Sequence, residues 1–249
     1  MLARATAFAA VLAIVLPLPA PAADAKPLRT LVFQVAYSIV STSEHRISGL
    51  GGSSMTQPDS TNAAAGPTSV SQGFAVDDSG TMVVDVVAAT ADKGLVVDVS
   101  YNGKTTRQPP IRVAILSDGR LGYDPKKPIC DQAIQLLPLL ARGAFSDREL
   151  STGVAWTVPF LPPLSGSKTY RVTGVTGADA TFAVSTEVST KGPQAFEEHS
   201  DGTLQYATDL QTPRRFDVQM RNRHFTPEGG QTTDTRLTAT LQSDSLSKT

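Results

Sequence analysis

Cys130 is the only cysteine among the 249 residues of the chain, and a thiol is an intrinsically strong nucleophile. Nucleophilic use requires a base nearby, and the two residues that follow, Asp131 and Gln132, do not supply one. A single thiol cannot form a disulfide within the chain. Cys130 is therefore predicted to be a small buried side chain, with pairing between chains or nucleophilic catalysis as the alternatives.

The three histidines, His45, His199 and His224, do not have the sequence spacing of a zinc site. Glu197 and Glu198 precede His199 and would add ligands if His224 came close in space, but an acidic loop is the simpler interpretation. The sequence therefore predicts no metal and no cofactor.

Residues 77–80, Asp-Asp-Ser-Gly, resemble a calcium loop in outline, with Asp85 as the later carboxylate. Residues 81–84 between them have the composition of a strand, so a hairpin turn is predicted instead. Residues 165–168 and 245–248 match the Ser-x-x-Lys pattern of serine acyl transfer, but neither begins a recognisable helix and the partner motifs are missing. No catalytic set is therefore identified.

Alternating apolar and polar residues predict strands along most of the chain, beginning with residues 31–40. Residues 41–68 are rich in Ser, Gly and Asn and predict a long mobile loop. The fold predicted is mainly β, with about eleven strands in antiparallel meanders that form a half-open barrel or a sandwich. Turns and loops are predicted at residues 78–80, 92–94, 102–103, 117–119, 177–179, 191–201 and 227–230.

One short kinked helix is predicted at residues 128–143. Apolar residues recur there at helical spacing and share one face. Pro128 suits the start of a helix and Gly143 its end, whereas Pro138 removes a backbone hydrogen bond and predicts a kink or two short pieces. The residues of the apolar face are Ile129, Ala133, Leu136, Leu137 and Leu140.

An apolar helix in a β protein must lie on a sheet or fill an open barrel. Leu136, Leu137 and Leu140 are therefore either ordinary core or, together with Trp156 and Phe160, the lining of a cavity for an apolar ligand. These five residues are the predicted ligand-binding site.

Residues 1–22 have the features of a cleaved signal peptide: Arg4, an apolar run too short to span a bilayer, and small residues at its end. Export to the periplasm or the medium of a bacterium is predicted. The remaining chain divides into a first β lobe at 28–127, the helical insertion at 128–143 and a second β lobe at 144–249, packed as one domain.

The formal net charge is -1, without a long run of basic residues, so nucleic acid is not an expected partner. No further apolar run of transmembrane length follows the signal, so no transmembrane helix is expected in the mature chain.

The export signal, the antiparallel meanders and the Leu-rich helical insertion together resemble the LolA/LolB-type lipoprotein-localisation superfamily, over about residues 28–243. Its members are half-open β-barrels whose helices cover a hydrophobic concavity, so the resemblance implies that fold and an apolar ligand. It is architectural and transfers no functional residue. The runs at 81–90 and 94–99 are also similar to uncharacterised bacterial exported β proteins.

Two hypotheses of function follow. The first is a non-enzymatic exported protein that binds a lipid or another apolar ligand in a sheet concavity. The alternative is a structural or interaction module of the cell envelope that binds protein or polysaccharide. An enzyme is third, because no nucleophile, base or metal set is identified.

Overall fold

The computed structural model describes residues 26–46, 69–90, 92, 94–141, 145, 148–192, 195–226 and 229–246, so the predicted signal peptide lies outside the described residues. The strands are β1 Arg29–Arg46, β2 Ser69–Ala89, β3 Leu95–Gly103, β4 Arg107–Ile115, β5 Leu121–Tyr123, β6 Ala155–Pro159, β7 Ser165–Thr176, β8 Asp179–Ser189, β9 Phe196–Ala207, β10 Thr212–Thr226 and β11 Gly229–Asp244. Helix α1, Asp131–Leu136, continues as the 3₁₀ helix Leu137–Leu140. The predicted mainly β, antiparallel fold with one short kinked helix is confirmed.

All eleven strands belong to one antiparallel sheet, in the order β5-β4-β3-β2-β1-β11-β10-β9-β8-β7-β6. The sheet consists of two meanders, β1–β5 and β6–β11. They join where β1 pairs with β11, from Leu31 opposite Asp244 to His45 opposite Gly229. The sheet does not close, and β5 and β6 form its two edges. No described helix is both long enough and apolar enough to cross a bilayer.

The sheet is strongly curved. The 3₁₀ helix Leu137–Leu140 packs against both β4 and β10, which are five strand spacings apart. In a flat sheet this separation would be about 24 Å, at ~4.8 Å per spacing. A four-residue 3₁₀ helix is only about 8 Å long, so it reaches both strands because the sheet bends around it. We call the concave side, which holds this helix, the inner face and the convex side the outer face.

The hydrophobic core lies on the inner face. In β1, Leu31, Phe33, Val35 and Tyr37 are buried on this face, whereas the intervening Gln34 is exposed on the outer face. This is the period-two pattern that predicted the strand. The core cluster continues without a break from β5 to β6, the two edges of the sheet.

Phe145 follows the helical segment in the chain and packs against aromatic rings of the second meander. Its ring centroid lies 4.5 Å from that of Tyr206 and 6.1 Å from that of Trp156. The rings of Tyr170 and Phe182 are each 5.3 Å away. Offset and edge-to-face aromatic contacts of this kind add to the apolar area that the rings bury.

The helical insertion is shorter than the predicted 128–143. Helix α1 begins after Cys130, whose carbonyl accepts hydrogen bonds from the N–H groups of Ala133 and Ile134. The predicted division into two pieces is confirmed, because α1 ends at Leu136 and the 3₁₀ helix contains Pro138. Proline has no N–H to donate to the carbonyl four residues earlier, and a tighter turn replaces the α-helix there.

The turn predicted at residues 78–80 is wrong, because β2 runs through it without interruption. Asp78 accepts a 3.0 Å hydrogen bond from the N–H of Thr105 instead of closing a turn. Gly80 lies opposite Gly103 of β3, and a Cβ at Gly80 would be 2.2 Å from the Asn102 carbonyl oxygen. The glycine therefore permits close approach of two strands.

Other predicted boundaries also differ. Strand β11 begins at Gly229, within the predicted turn at 227–230. Strand β1 extends to Arg46, so residues 41–46 are not part of a loop, and residues 47–68 lie outside the described residues. Strand β9 begins at Phe196, within the predicted loop at 191–201. The β3–β4 hairpin exists, but Asn102 and Gly103 end β3 and the connection is residues 104–106.

Replacing Gly80 by Ala is expected to destabilise the protein by about 1–3 kcal/mol, because the added methyl group meets backbone atoms that cannot move aside. Gly174→Ala is the matched control, since a Cβ at this position in β7 meets nothing within 4 Å. Chemical denaturation of both variants measures the difference. Equal stabilities would contradict the close approach of β2 and β3.

Candidate functional site

The predicted ligand-binding leucines belong to the core. Leu136, Leu137 and Leu140 are at most 2% exposed, and Trp156 is buried with them. Phe160 is half-buried just after β6 and lies outside this core cluster. Four of the five predicted residues therefore lie together in the packed core. None of the five lines either of the two clefts described below.

Beyond the helical segment, two rows of side chains run across the inner face. We call them together the open inner face, after their two exposed members, Phe74 and Val76. Register and alternation place these residues on the same side as the core. One row is Phe74, Ser41, Thr233, Asn222, Glu198 and Val188, and the next is Val76, Ile39, Thr235, Met220, Ser200, Thr186 and Lys168.

The open inner face is apolar at one end and polar towards the other. On β2, Phe74 is 45% exposed and Val76 is 37% exposed, although both have the inward orientation of the core residues further along that strand. Further across the sheet the lining is mostly hydroxyl, amide and carboxylate groups. The hydroxyl-bearing residues among them are buried, namely Ser41, Thr186, Ser200, Thr233 and Thr235. The surface is therefore amphipathic.

A small cleft of about 20 Å³ lies where α1 meets the open inner face. Asp131 from α1 and Glu198 from β9 both line it, together with Tyr37, Asn222 and Thr235. The Tyr37 hydroxyl donates a 3.2 Å hydrogen bond to Asp131 Oδ2. Asn222 hydrogen-bonds to Glu198. We call this site the carboxylate cleft; its volume is sufficient for one water-sized group.

Burial raises the pKa of both carboxyl groups in the cleft. The hydrogen bond from Tyr37 opposes the rise in the pKa of Asp131. The hydrogen bond with Asn222 and the positive charge of Lys168 oppose the rise in the pKa of Glu198. Burial, and then the neighbouring Asp131 carboxylate, also raise the pKa of Tyr37, so its phenol stays protonated and donates.

The neighbouring hydroxyl groups are hydrogen-bonded among themselves. The hydroxyls of Ser41 and Thr233 are 3.1 Å apart, and Gln231 Nε2 donates a 2.8 Å hydrogen bond to Ser41 Oγ. Because these groups already have partners, the carboxylates remain the strongest acceptors on this face.

The outer face has a larger groove of about 300 Å³ where β11, β1 and β2 lie side by side. Small residues such as Ala36 and Ser79 line it, and this is why a depression exists on the convex side. Lys104, Arg236 and Asp77 add charges of both signs. The groove therefore offers donors and acceptors to a polar partner.

The other residues considered as candidates for catalysis or metal binding have structural roles. Burial raises the pKa of the Cys130 thiol to about 11, so it is not ionised at neutral pH and is a poor nucleophile. His199 contacts Asp201 at 2.8 Å on the outer face, and the ring of His224 packs near Phe196. Within the described residues, no three potential ligands of the His, Cys, Asp and Glu types come together as a metal site. Ser165 and Lys168 lie on strand β7, not on a helix.

The carboxylate cleft was missed by the sequence analysis. Glu198 was assigned to a loop, and Asp131 was considered only as a base for Cys130. Glu198 and Ser200 share the inner face with Phe196 but are polar, so this part of β9 carries no period-two hydrophobic signal.

No family model matches this chain, and no curated protein has significant similarity to it. Its function is therefore inferred from the geometry of the two clefts and of the open inner face.

Leu137→Ala is expected to lower the free energy of unfolding by about 2–5 kcal/mol, because Leu137 is fully buried in the core. The control is Leu161→Ala in the β6–β7 connection, where the side chain is 51% exposed. Denaturant unfolding distinguishes them. A loss for Leu137→Ala as small as that for Leu161→Ala would indicate that Leu137 lines a cavity.

Glu198→Gln is expected to raise the unfolding temperature at about pH 8, because the amide avoids a desolvated charge. The folded-state pKa of Glu198 lies above its unfolded value, so this carboxyl group stabilises the fold as the pH falls and loses that contribution as the pH rises. The difference between wild type and variant should therefore shrink between about pH 8 and about pH 5.

Thermal unfolding across that pH range measures the difference. A pH-independent difference for Glu198→Gln would contradict the raised pKa.

Proposed function

We propose that this chain is an exported, non-enzymatic binding protein that holds an amphipathic ligand on the open inner face. The observation that carries the proposal is the position of exposed Phe74 and Val76 in the same inward-facing rows that lead to the carboxylate cleft. The proposed ligand site therefore lies beside Phe74 and Val76 and not at the helix leucines.

The apolar end of this face supports an apolar ligand segment. Single exposed hydrophobic side chains are common on protein surfaces. Here, however, Phe74 and Val76 lie on the concave side, next to the partly buried Ile39 of β1. A hydrocarbon chain laid along them would remove apolar area from water on both partners.

The polar end supports a polar head group. The carboxylate cleft is too small for a whole ligand, but it accommodates one small group that hydrogen-bonds to Asp131 and Glu198. Concave sites with an apolar wall and a few convergent polar groups of perturbed pKa are typical ligand-binding sites.

The signal-like sequence of residues 1–22 supports export to the periplasm or the medium. The fold agrees with the half-open architecture that the LolA/LolB resemblance implies, namely a curved open sheet with a helical segment on its concave side. That agreement supports a ligand in the concavity.

The outer groove favours a second candidate function, an interaction module of the cell envelope. Its 300 Å³ volume and its charged residues Lys104, Arg236 and Asp77 would suit a protein loop or a polysaccharide segment. This function would use the convex side and is independent of the open inner face.

Phe74→Ser is expected to weaken binding of the neutral fluorescent probe N-phenyl-1-naphthylamine about tenfold, because a large apolar contact is lost. Fluorescence titration of the mature protein measures the dissociation constant. Phe225→Ser is a matched control: the side chain has the same 45% exposure but alternates onto the outer face of β10.

Unchanged affinity for Phe225→Ser with weaker binding for Phe74→Ser would support the open inner face. Equal losses for both variants, or no fluorescence response of the wild type, would refute it.

A further inference from the structure

We propose that this protein forms a symmetric dimer in which one edge of β2, residues 69–78, pairs antiparallel with the same edge of a second copy. We call this segment the free edge of β2. The inference goes beyond the proposed function and does not depend on it. The chemistry of the edge names the partner, because a row of unpaired backbone N–H and C=O groups is matched by another strand.

Strand β2 is longer than the strand beside it. Its pairing with β3 begins at Gly80, and the Lys104 N–H donates one further hydrogen bond to the Ser79 carbonyl. On its other side, β2 pairs with β1 as far back as Ser69. Among the described residues, no strand pairs with the β3 side of β2 from Ser69 to Asp78.

The free edge of β2 presents unpaired backbone groups to solvent. Because the Ser79 carbonyl points towards β3, every second residue before it directs its N–H and C=O groups away from β1. Residues 73–77 are all exposed. The residues whose backbone groups face outwards are Ser69, Ser71, Gly73, Ala75 and Asp77.

The two ends of the sheet carry features that hinder strand pairing. Strand β5 has only three residues, and β4 outside its pairing with β5 contains Pro109 and Pro110. Strand β6 has five residues and ends at Pro159. Short length, proline and charge are the usual protections of an edge strand. Residues 69–76 of β2 contain neither a proline nor a charged residue, so this edge lacks those protections.

A second copy fits the free edge. With Gly73 of both copies at the two-fold axis, Ser69 lies opposite Asp77 of the partner subunit, and residues 69–77 pair without reaching Lys104. No two like charges then face each other across the pair. The outward-facing residues of the two copies form about ten backbone hydrogen bonds, as many as a typical stable interface contains.

The exposed apolar side chains favour the same arrangement. Phe74 and Val76 are exposed on the inner face. In this register Phe74 and the partner's Phe74 are diagonal neighbours, a separation that aromatic rings span. The two inner faces lie on the same side of the joined sheet, and the pairing removes apolar area of both copies from water.

The test is sedimentation equilibrium of the mature protein without ligand, for which twice the monomer mass is expected. Ala75→Pro should weaken association at least about tenfold, because proline removes an outward-facing N–H from each copy and leaves the pairing with β1 intact. Ala155→Pro is the matched control on β6. Ala155 is also exposed, and its N–H faces outwards because that of Phe160, five positions later, points to Gly166 of β7. This variant should remain dimeric.

Gly73→Cys gives an independent measurement. The two introduced thiols face each other at the axis, so oxidation with copper phenanthroline should yield a disulfide-linked dimer. Wild type should not be linked, because Cys130 is largely shielded from solvent. Should Ala75→Pro fail to fold, the formation of this linked dimer decides.

A dimer that Ala75→Pro leaves intact, or that Ala155→Pro weakens equally, would overturn the proposal. A monomeric wild type would do so as well. Slow hydrogen exchange at the Ala75 amide of such a monomer would show that another segment of the same chain covers the edge, and rapid exchange would leave the edge to a different protein. None of these results bears on binding at the open inner face, which the fluorescence titration tests separately.

Discussion

The pairing of the first strand with the last holds this protein together. Strand β1 contributes to both halves of the sheet, with β2 on one side and β11 on the other. At one end of the β1–β11 seam, Arg29 forms an ion pair with the largely buried Asp244 and also contacts Thr212 of β10. Burial acts to raise the pKa of Asp244, but the hydrogen bonds from Arg29 and from the Leu246 N–H, together with the charge of Arg29, outweigh it, and the pKa is lowered. The carboxylate therefore stays ionised, and its ion pair with Arg29 stabilises the pairing of β1 with β11.

The curvature of the sheet follows from this continuity and defines the candidate site. A single sheet of eleven strands has one inner face, and one helical segment of ten residues covers only part of it. The part under this segment is packed around Leu137 and Phe145. Beyond it the inner face carries polar side chains, several of them buried, such as Thr235 and Ser200, and the same rows include Glu198. The same bend therefore produces the packed core and, beside it, the amphipathic surface to which we assign function.

The fold was largely predictable from the sequence because alternation is strong wherever one side of a strand is dry, as in β1 from Leu31 to Tyr37. Prediction failed where both sides of a strand carry polar residues. The sequence predicts a turn around Asp78 and a loop at the beginning of β9, and both segments are strand. In these stretches tertiary contacts, such as the Thr105 N–H on Asp78, replace the hydrophobic signal. The carboxylate cleft lies in such a region, and its two acids are 67 positions apart in the chain.

The central position of β1 and β11 also determines the order in which the protein can be completed. A chain that emerges from its N-terminus can assemble β1 to β5 early, but β1 keeps an unpaired edge until the last strand arrives. Until then the concavity has only one wall. A chain of this topology therefore completes its curved sheet, and with it the inner face, only when β11 pairs with β1.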